Sequence, residues 1–424
     1  MLVALDADVI VIGAGPAGAC AAILLAAAGR RVVLVEQHAF PRQKVCGECI
    51  GAGNLALIDR LGVGPEFRRL AGAELRQVGW MSADATVRAD LPSCSQATYP
   101  YGRALGRDRF DPLLLERARS LGVRILQPAK VRAVSGRAGD FSCEIVEFAT
   151  HADRDGNPHE HTARTLTASL IIDAHGSWEL GPIFGMDGTP VRPPQSASDL
   201  FAFKATFHKS NLEPGFLPVL ALDGCYGGMV VADHGRTTIA CCIRRDTLHF
   251  LRARNRGVQA GVVVEDSLRR SCRGVRDALG NATRDGAWQS VGPLRPGVRL
   301  KSAAGVYRVG NAAGEAHPLI GEGITMALQS SSLLVDILMH TPSAKIDERS
   351  ATRQQDAYAR AWRSAFVPRL RLAALYAHVA MRPALAQPAR GILRRWPPLL
   401  THAAGWAGKA RPSARLPTII EETP

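Results

Sequence analysis

The sequence predicts an α/β fold interrupted by an antiparallel β-sheet and closed by a helical C-terminal segment. Three observations carry that expectation. A short apolar strand, Asp8-Val9-Ile10-Val11-Ile12, runs straight into Gly13-Ala14-Gly15-Pro16-Ala17-Gly18, an Ala/Leu-rich helix up to Gly29, and a second apolar strand that ends at Glu36. A second glycine-rich loop, residues 310–323, lies between a buried-type strand, Val306 to Val309, and a long apolar helix, Ile324 to Leu338. Between the two loops, from about 190 to 300, short alternating runs such as Phe201 to Phe207 are punctuated by Asp223-Gly224, Gly227-Gly228 and His234-Gly235 turns.

The first unit is a βαβ element with a G-x-G-x-x-G loop and a closing acid, the fingerprint of dinucleotide binding. Gly13 permits the tight turn, and Gly15 lets a pyrophosphate approach the backbone. Gly18 lets helix and strand pack closely. The helix N-terminus offers free N–H groups and partial positive charge to phosphates. Glu36 is suited to accept hydrogen bonds from both hydroxyls of a ribose.

With 424 residues and 46% apolar residues, the chain has enough material for more than one core and is not of disordered composition. No run reaches the roughly 18 apolar residues that a membrane span needs. The N-terminus lacks a basic region ahead of its apolar run, so no signal peptide is expected. Nine scattered cysteines fit a reducing cytoplasm better than a disulfide framework. The net charge is +14, yet no basic stripe interleaved with aromatics points to nucleic acid. Much of the excess lies in the tail: from residue 351 on, twelve Arg/Lys face three acids, a net of +9. A solvated helix face explains that, and so does peripheral contact with an anionic membrane or a charged partner.

The remaining elements follow in order. Gln37 to Gly53 reads as a loop, and Leu55 to Leu61 as a helix. Residues 73–105 read as strands and turns. A helix begins at Arg107-Asp108-Arg109-Phe110-Asp111, with Asp108 as N-cap, and ends at Gly122. Strands follow at 123–126, 129–134 and 170–174, with a turn at Asp155-Gly156-Asn157-Pro158. Prolines 368, 383, 388, 397 and 398 are expected to break the helical tail. The resulting division is 1–190, 191–300 (β-rich), 301–345 (continuing the first part) and 346–424 (helical).

In the second loop, Gly310-Asn311-Ala312-Ala313-Gly314-Glu315-Ala316-His317-Pro318-Leu319-Ile320-Gly321-Glu322-Gly323-Ile324, Gly321 and Gly323 aim backbone N–H groups outward just before a helix. Together with Pro41-Arg42-Gln43-Lys44-Val45-Cys46-Gly47-Glu48 and the Arg107/Phe110/Asp111 helix start, it resembles the FAD-dependent oxidoreductases of the geranylgeranyl-reductase type, within the aromatic-hydroxylase (glutathione-reductase-like) flavoprotein superfamily. The resemblance implies a Rossmann-type FAD-binding domain with an inserted antiparallel substrate sheet. Gly13, Ala14, Gly15, Pro16, Ala17, Gly18, Glu36 and Gln37 would hold the ADP half of FAD, with the backbone of Val131 beside the adenine. Arg42 and Arg107 would lie near the phosphates and ribitol. Gly310 and Asn311 would meet the ribityl chain, and Pro318, Gly321, Glu322, Gly323 and Ile324 would line the flavin ring. The chain departs from the family pattern at Asn311, where the family has Asp, and at His175, where hydroxylases carry the acid that engages flavin and nicotinamide. The tryptophan motif of flavin-dependent halogenases is absent.

Candidates for chemistry are few. Cys46 is suited either to donate a proton or only to line the site, and His317 either to pack against its loop, the more ordinary role, or to donate a proton to the substrate. Cys46 and Cys49 form a C-x-x-C, but the family pattern explains Cys46 without Cys49, and no matching ligands complete a zinc site. Glu48 and Glu322, as loop residues, are expected to be solvated. Trp288 reads as a cavity wall or core residue. The function expected is FAD-dependent redox on a small, largely apolar molecule. Reduction of a C=C bond stands slightly ahead of oxygen-dependent hydroxylation or epoxidation, with a dithiol flavoenzyme and a non-catalytic flavin carrier behind. The electron donor stays open between NAD(P)H and another reductant, as do a reductase partner and the oligomeric state. Purified protein should be yellow and release FAD, not FMN, on denaturation, and Gly15→Val should abolish uptake. A colourless protein that takes up no FAD at micromolar concentration would refute this.

Overall fold

A computed structural model describes residues 5–94, 98–152, 158–177, 183–184, 195–340 and 346–406. The turn expected at 155–158 lies mostly outside them. The apolar strands expected from the sequence assemble one eight-stranded sheet. At its centre the Ala7–Ile12 strand lies parallel to Val32–Val35 on one side and to the end of Pro158–Asp173 on the other. Their residues are apolar on both faces because helices cover one face and a β-layer the other. The Pro158–Asp173 strand serves two neighbourhoods. Its first part pairs antiparallel with Asp140–Ala152, and its last residues pair parallel with Val306–Arg308. The two glycine-rich loops therefore leave adjacent parts of the same sheet edge, though some 300 residues separate them in sequence.

The helix Pro16–Ala27 starts with Pro at its first turn and is buried almost throughout. It packs against Arg107–Ser120 and against Gly323–His340. Gly29, at a φ of +76°, takes the left-handed conformation that ends the first helix. Arg107–Ser120 has Gly106, not Asp108, at its N-cap. Asp108 instead sits in the first turn and forms an ion pair with Arg236 at 3.0 Å, so a distant cation outcompetes the local cap.

The second sheet has seven strands. Leu200–His208, Phe216–Leu222, Cys225–Val231, Thr237–Arg244 and Thr283–Leu294 pair antiparallel, as the alternating runs imply. Two strands from before residue 100, Gln77–Ser82 and Ala85–Asp90, complete its edge, with Gln77–Ser82 parallel to Phe216–Leu222. The sheet is thus drawn from two separate parts of the chain. Three helices, Arg245–Ala253, Ala260–Ser271 and Arg273–Ala278, interrupt the strand run and pack on one face of the sheet. Trp288 belongs to that side, its indole Nε1 donating to Glu265 at 2.9 Å.

The tail is helical, but its prolines act unequally. Glu348–Ala380 continues through Pro368, and Pro383–Arg395 through Pro388. Pro383 and Pro398 start helices, where the missing N–H costs nothing. The long helix begins with a capping box, Asp347 and Ser350 satisfying each other's backbone N–H groups. It packs onto the main core through Tyr358, Trp362 and Phe366, with Trp362 1% exposed and its ring tilted at 57° against that of Phe366 on the same helix. A Cβ on Gly314 would come within 2.5 Å of the Trp362 ring, so the second glycine loop is shaped to receive it. Trp362→Ala should lower unfolding stability by about 3–5 kcal/mol. Urea unfolding followed by tryptophan fluorescence and circular dichroism measures this, and a loss under 1 kcal/mol would show that the helix is not held by this contact.

Candidate functional site

The N-terminal glycines do three different things. Gly13 adopts a φ of +99° and lies against Ala174, where a Cβ would sit 2.5 Å from the carbonyl oxygen. A Cβ on Gly18 would strike the Gly13 carbonyl at 1.8 Å. Gly15 is different: a Cβ there would point into open space, with only the Arg107 guanidinium nearby at 3.5 Å. Gly13 and Gly18 are therefore required by packing, whereas Gly15 keeps room for a ligand. Glu36, 4% exposed, accepts from the Ala14 N–H at 2.8 Å and the His38 N–H at 2.9 Å, and Arg42 approaches it at 3.4 Å. The Arg42 Nε is buried without a hydrogen-bond partner.

The loop after Glu36 is not a solvated one. Glu48, expected to be exposed, is 3% exposed, at a φ of +60°. Its carboxylate is ion-paired with the buried Lys204 of the second sheet and accepts from Thr238 Oγ1 at 2.5 Å. Lys204 also donates to the Lys44 carbonyl at 3.3 Å, and the Glu48 carbonyl accepts from the Leu105 N–H at 3.2 Å. Arg107, the first residue of its helix, is bidentate to the fully buried Asp111 at 2.5 and 2.6 Å. Burial would lower the pKa of Arg107, but Asp111 more than offsets it and holds the guanidinium charged. Cys46 accepts from the Glu48 N–H at 3.3 Å, while Cys49 donates to the Gly47 carbonyl at 3.2 Å. Neither cysteine is in a disulfide.

The second loop brings polar groups together that the sequence did not connect. Asn311 Nδ2 donates to Ser177 Oγ at 3.3 Å, and Ser177 donates to Glu315 at 3.1 Å. Glu315, 4% exposed, also accepts from the Arg295 N–H at 3.2 Å, and burial raises its pKa. His317 Nδ1 lies 3.1 Å from the hydroxyl of Tyr226. Burial lowers the pKa of His317 and raises that of Tyr226, so at neutral pH the phenol keeps its proton and faces a neutral imidazole. Gly321 takes a φ of +63° just before the Gly323–His340 helix. Glu322, expected to be solvated, is 1% exposed and lies 3.7 Å from Arg369 of the long C-terminal helix. His175 meets the buried Asp173 through Nδ1, with Arg308 at 3.5 Å on the other oxygen of Asp173.

These groups surround one cavity of about 590 Å³. Of the residues singled out from the sequence, Gly13, Gly15, Pro16, Ala17, Glu36, Gln37, Arg42, Cys46, Arg107, Val131, Gly310, Asn311, His317, Pro318, Gly321, Gly323 and Ile324 line it. Ala14, Gly18 and Glu322 do not: they stand behind the wall as a backbone donor, a packing contact and a buried charge. Lys204 is likewise behind the wall. The far side is apolar, built from Val78, Trp80, Leu217, Met229, Leu294 and Tyr376. Sequence reasoning missed Glu315, Tyr226 and Lys204. Glu315 lay within the quoted loop, but only the fold shows that it is buried. Among the described residues, no cluster of His, Cys, Asp and Glu could hold a metal ion.

The residues fit FAD. The open Cβ position at Gly15, the unpartnered Arg42 Nε and the helix N-terminus suit a pyrophosphate, and the Glu36 carboxylate retains acceptor capacity for a ribose. Residues 6–179 match the FAD binding domain family. The menaquinone reductase of Mycobacterium tuberculosis (strain ATCC 25618 / H37Rv) is 36% identical over 130 residues, 30% of this chain and 31% of that protein. The chain thus matches about a third of the length of that relative. The menaquinone reductase of Mycolicibacterium smegmatis is 26% identical over 379 residues, 84% of this chain and 81% of that protein. Squalene epoxidase 4 of Arabidopsis thaliana is 30% identical over 152 residues, 35% of this chain and 28% of that protein. Among solved structures, the flavin-dependent brominase Bmp2 superposes with a TM-score of 0.69 at 15% identity, covering 95% of this chain and 93% of that one. The p-nitrophenol 4-monooxygenase PnpA from Pseudomonas putida DLL-E4 gives 0.67 at 17% identity, covering 95% of each. Residues 6–179 are an FAD-binding domain, and the fold is that of flavin-dependent enzymes. Arg107→Leu should weaken FAD binding at least tenfold and, by leaving Asp111 buried and unpaired, destabilise the protein by about 3–5 kcal/mol. Arg107→Leu/Asp111→Leu should recover stability but not affinity; recovery of both would remove Arg107 from the binding site.

Proposed function

We propose that this chain, with an FAD-binding domain at residues 6–179, is an FAD-dependent oxidoreductase of the geranylgeranyl-reductase type that reduces a C=C bond in a largely apolar, isoprenoid-like molecule. The observation that carries it is one continuous cavity, which joins the glycine loops to an apolar chamber and holds the Tyr226–His317 pair in its wall. The similarity to proteins named menaquinone reductase supports an apolar substrate and a reductive direction.

Bound FAD would supply two-electron, hydride-level reducing chemistry for the double bond. Gly13–Ala17, Glu36, Arg42 and Arg107 would hold its ADP part, and Asn311 with the Gly321–Gly323 backbone its other half. The chain's own part is the proton. His317 supplies it to a carbon of that bond as the imidazolium, a stronger acid than usual because burial disfavours its charge. Tyr226 orients the ring through Nδ1. Cys46 lines the same cavity near Arg107 and is the second candidate donor.

The oxygen-dependent reading has its own support in the similarity to squalene epoxidase 4 and in Glu315, a buried carboxyl with a raised pKa beside Asn311. The two readings separate without oxygen. Dithionite-reduced protein should be reoxidised anaerobically by its substrate, giving a product two hydrogens heavier. Reoxidation that requires oxygen, with labelled oxygen in the product, would replace this proposal with hydroxylation or epoxidation. The pH dependence follows from His317. Its pKa is lowered below 6.5, so product protonation should quicken as pH falls through and below 6.5 and slow above it. His317→Ala should flatten that profile and cut the rate by about 10²–10⁴. An unchanged profile would assign the proton elsewhere, with Cys46→Ser as the next variant.

A further inference from the structure

The C-terminal helices bear an unusual surface. Of the nine large apolar residues exposed among the described residues, six lie between 375 and 406: Leu375, Leu385, Ile392, Trp396, Leu399 and Trp406. Trp396 and Trp406 are 67% and 66% exposed. Scattered single exposures are ordinary, but a concentration on three consecutive helices and the residues that follow them is not. Two of the six, Leu375 and Ile392, also line the cavity, so the cavity reaches the surface at the apolar patch. The helices Pro383–Arg395 and Pro398–Ala404 form the outer wall there through Leu393 and Leu400.

Charge says what covers the patch. From residue 357 to 420 the chain carries no Asp or Glu. Around the patch stand Arg382, Arg390, Arg394 and Arg395, of which Arg390 is paired with Asp84 at 3.6 Å. A second copy in a two-fold contact would bring these like charges face to face. An anionic lipid surface meets both features, the arginines at the headgroups and the tryptophans at the acyl boundary. Among the described residues, no helix is long and apolar enough to cross a membrane, so contact is by lying on the surface.

We propose that the helices Pro383–Arg395 and Pro398–Ala404 dock the cavity mouth onto an anionic membrane, so that an apolar substrate passes from the bilayer into the cavity between Leu375 and Ile392. The passage of substrate rests on the redox reading above; the docking does not.

The test uses the full FAD-loaded chain and sedimentation with vesicles of equal parts phosphatidylcholine and phosphatidylglycerol. At low salt the protein should pellet with these vesicles and be released at high salt, with weak binding to pure phosphatidylcholine. R394E/R395E and W396S should each reduce binding by about tenfold or more while bound FAD, read from its visible absorbance, and the melting temperature stay unchanged. Wild-type protein left in the supernatant, or R394E/R395E pelleting like wild type, would overturn the proposal. So would a dimer in light scattering that W396S converts to a monomer, because a second copy would then be the occupant. Vesicle binding needs no turnover. A protein that docks but does not oxidise or reduce any apolar substrate would refute the redox reading and leave the docking standing.

Discussion

The ion pair between Glu48 and Lys204 is the constraint on which the site depends. Both side chains are buried, and they join parts of the molecule that would otherwise only touch. Glu48 belongs to the loop that follows the first βαβ unit, and Lys204 to the Leu200–His208 strand of the second sheet. The same carboxylate takes the Thr238 hydroxyl from the next strand, while the Glu48 backbone binds Leu105 ahead of the Arg107 helix. One residue therefore sets the position of Cys46, of the Arg107 helix and of the sheet that forms the apolar wall. Two charges taken out of water are tolerable only because every neighbour supplies a partner. Removing either one leaves the other stranded.

Around that joint the cavity has a consistent gradient. Its glycine-loop end offers backbone N–H groups, arginines and one buried carboxylate, which is an environment for phosphates and ribose. Its middle holds a few polar groups with pKa values displaced by burial, His317 downward and Glu315 and Tyr226 upward. Its far end is apolar and reaches the C-terminal helices. Burial shifts each of the three toward its neutral form, as in a chamber that excludes water from an apolar reactant. The Trp362 contact with Gly314 fixes the long tail helix to the second loop, so the apolar end is registered to the polar one.

Much of this was legible in the sequence where the signal is local. Gly13, Gly15, Gly18 and Glu36 sit within one βαβ unit, and their spacing alone requires the turn and the acid to meet. The 310–324 loop was readable for the same reason. What failed was non-local. Glu48 looked like a solvated loop residue because its partner lies 156 positions away. Asp108 had the form of an N-cap, but Arg236 claims it. Pro368 and Pro388 looked like breaks, yet the tertiary packing of Trp362, Phe366 and Ala386 carries both helices through. The strands at 77–90 had the right alternation, but nothing local says that they join the second sheet.

The site requires the Glu48 loop and the second sheet to be energetically one unit. A double-mutant cycle of Glu48→Gln and Lys204→Met, read as unfolding free energy of the FAD-loaded protein, measures this most directly. Each single variant should lose about 3–5 kcal/mol, and the double variant should lose markedly less than their sum, giving a coupling of at least about 1 kcal/mol. Additive losses, with a coupling near zero, would contradict the joint and with it the claim that one cavity unites the cofactor loop and the apolar chamber.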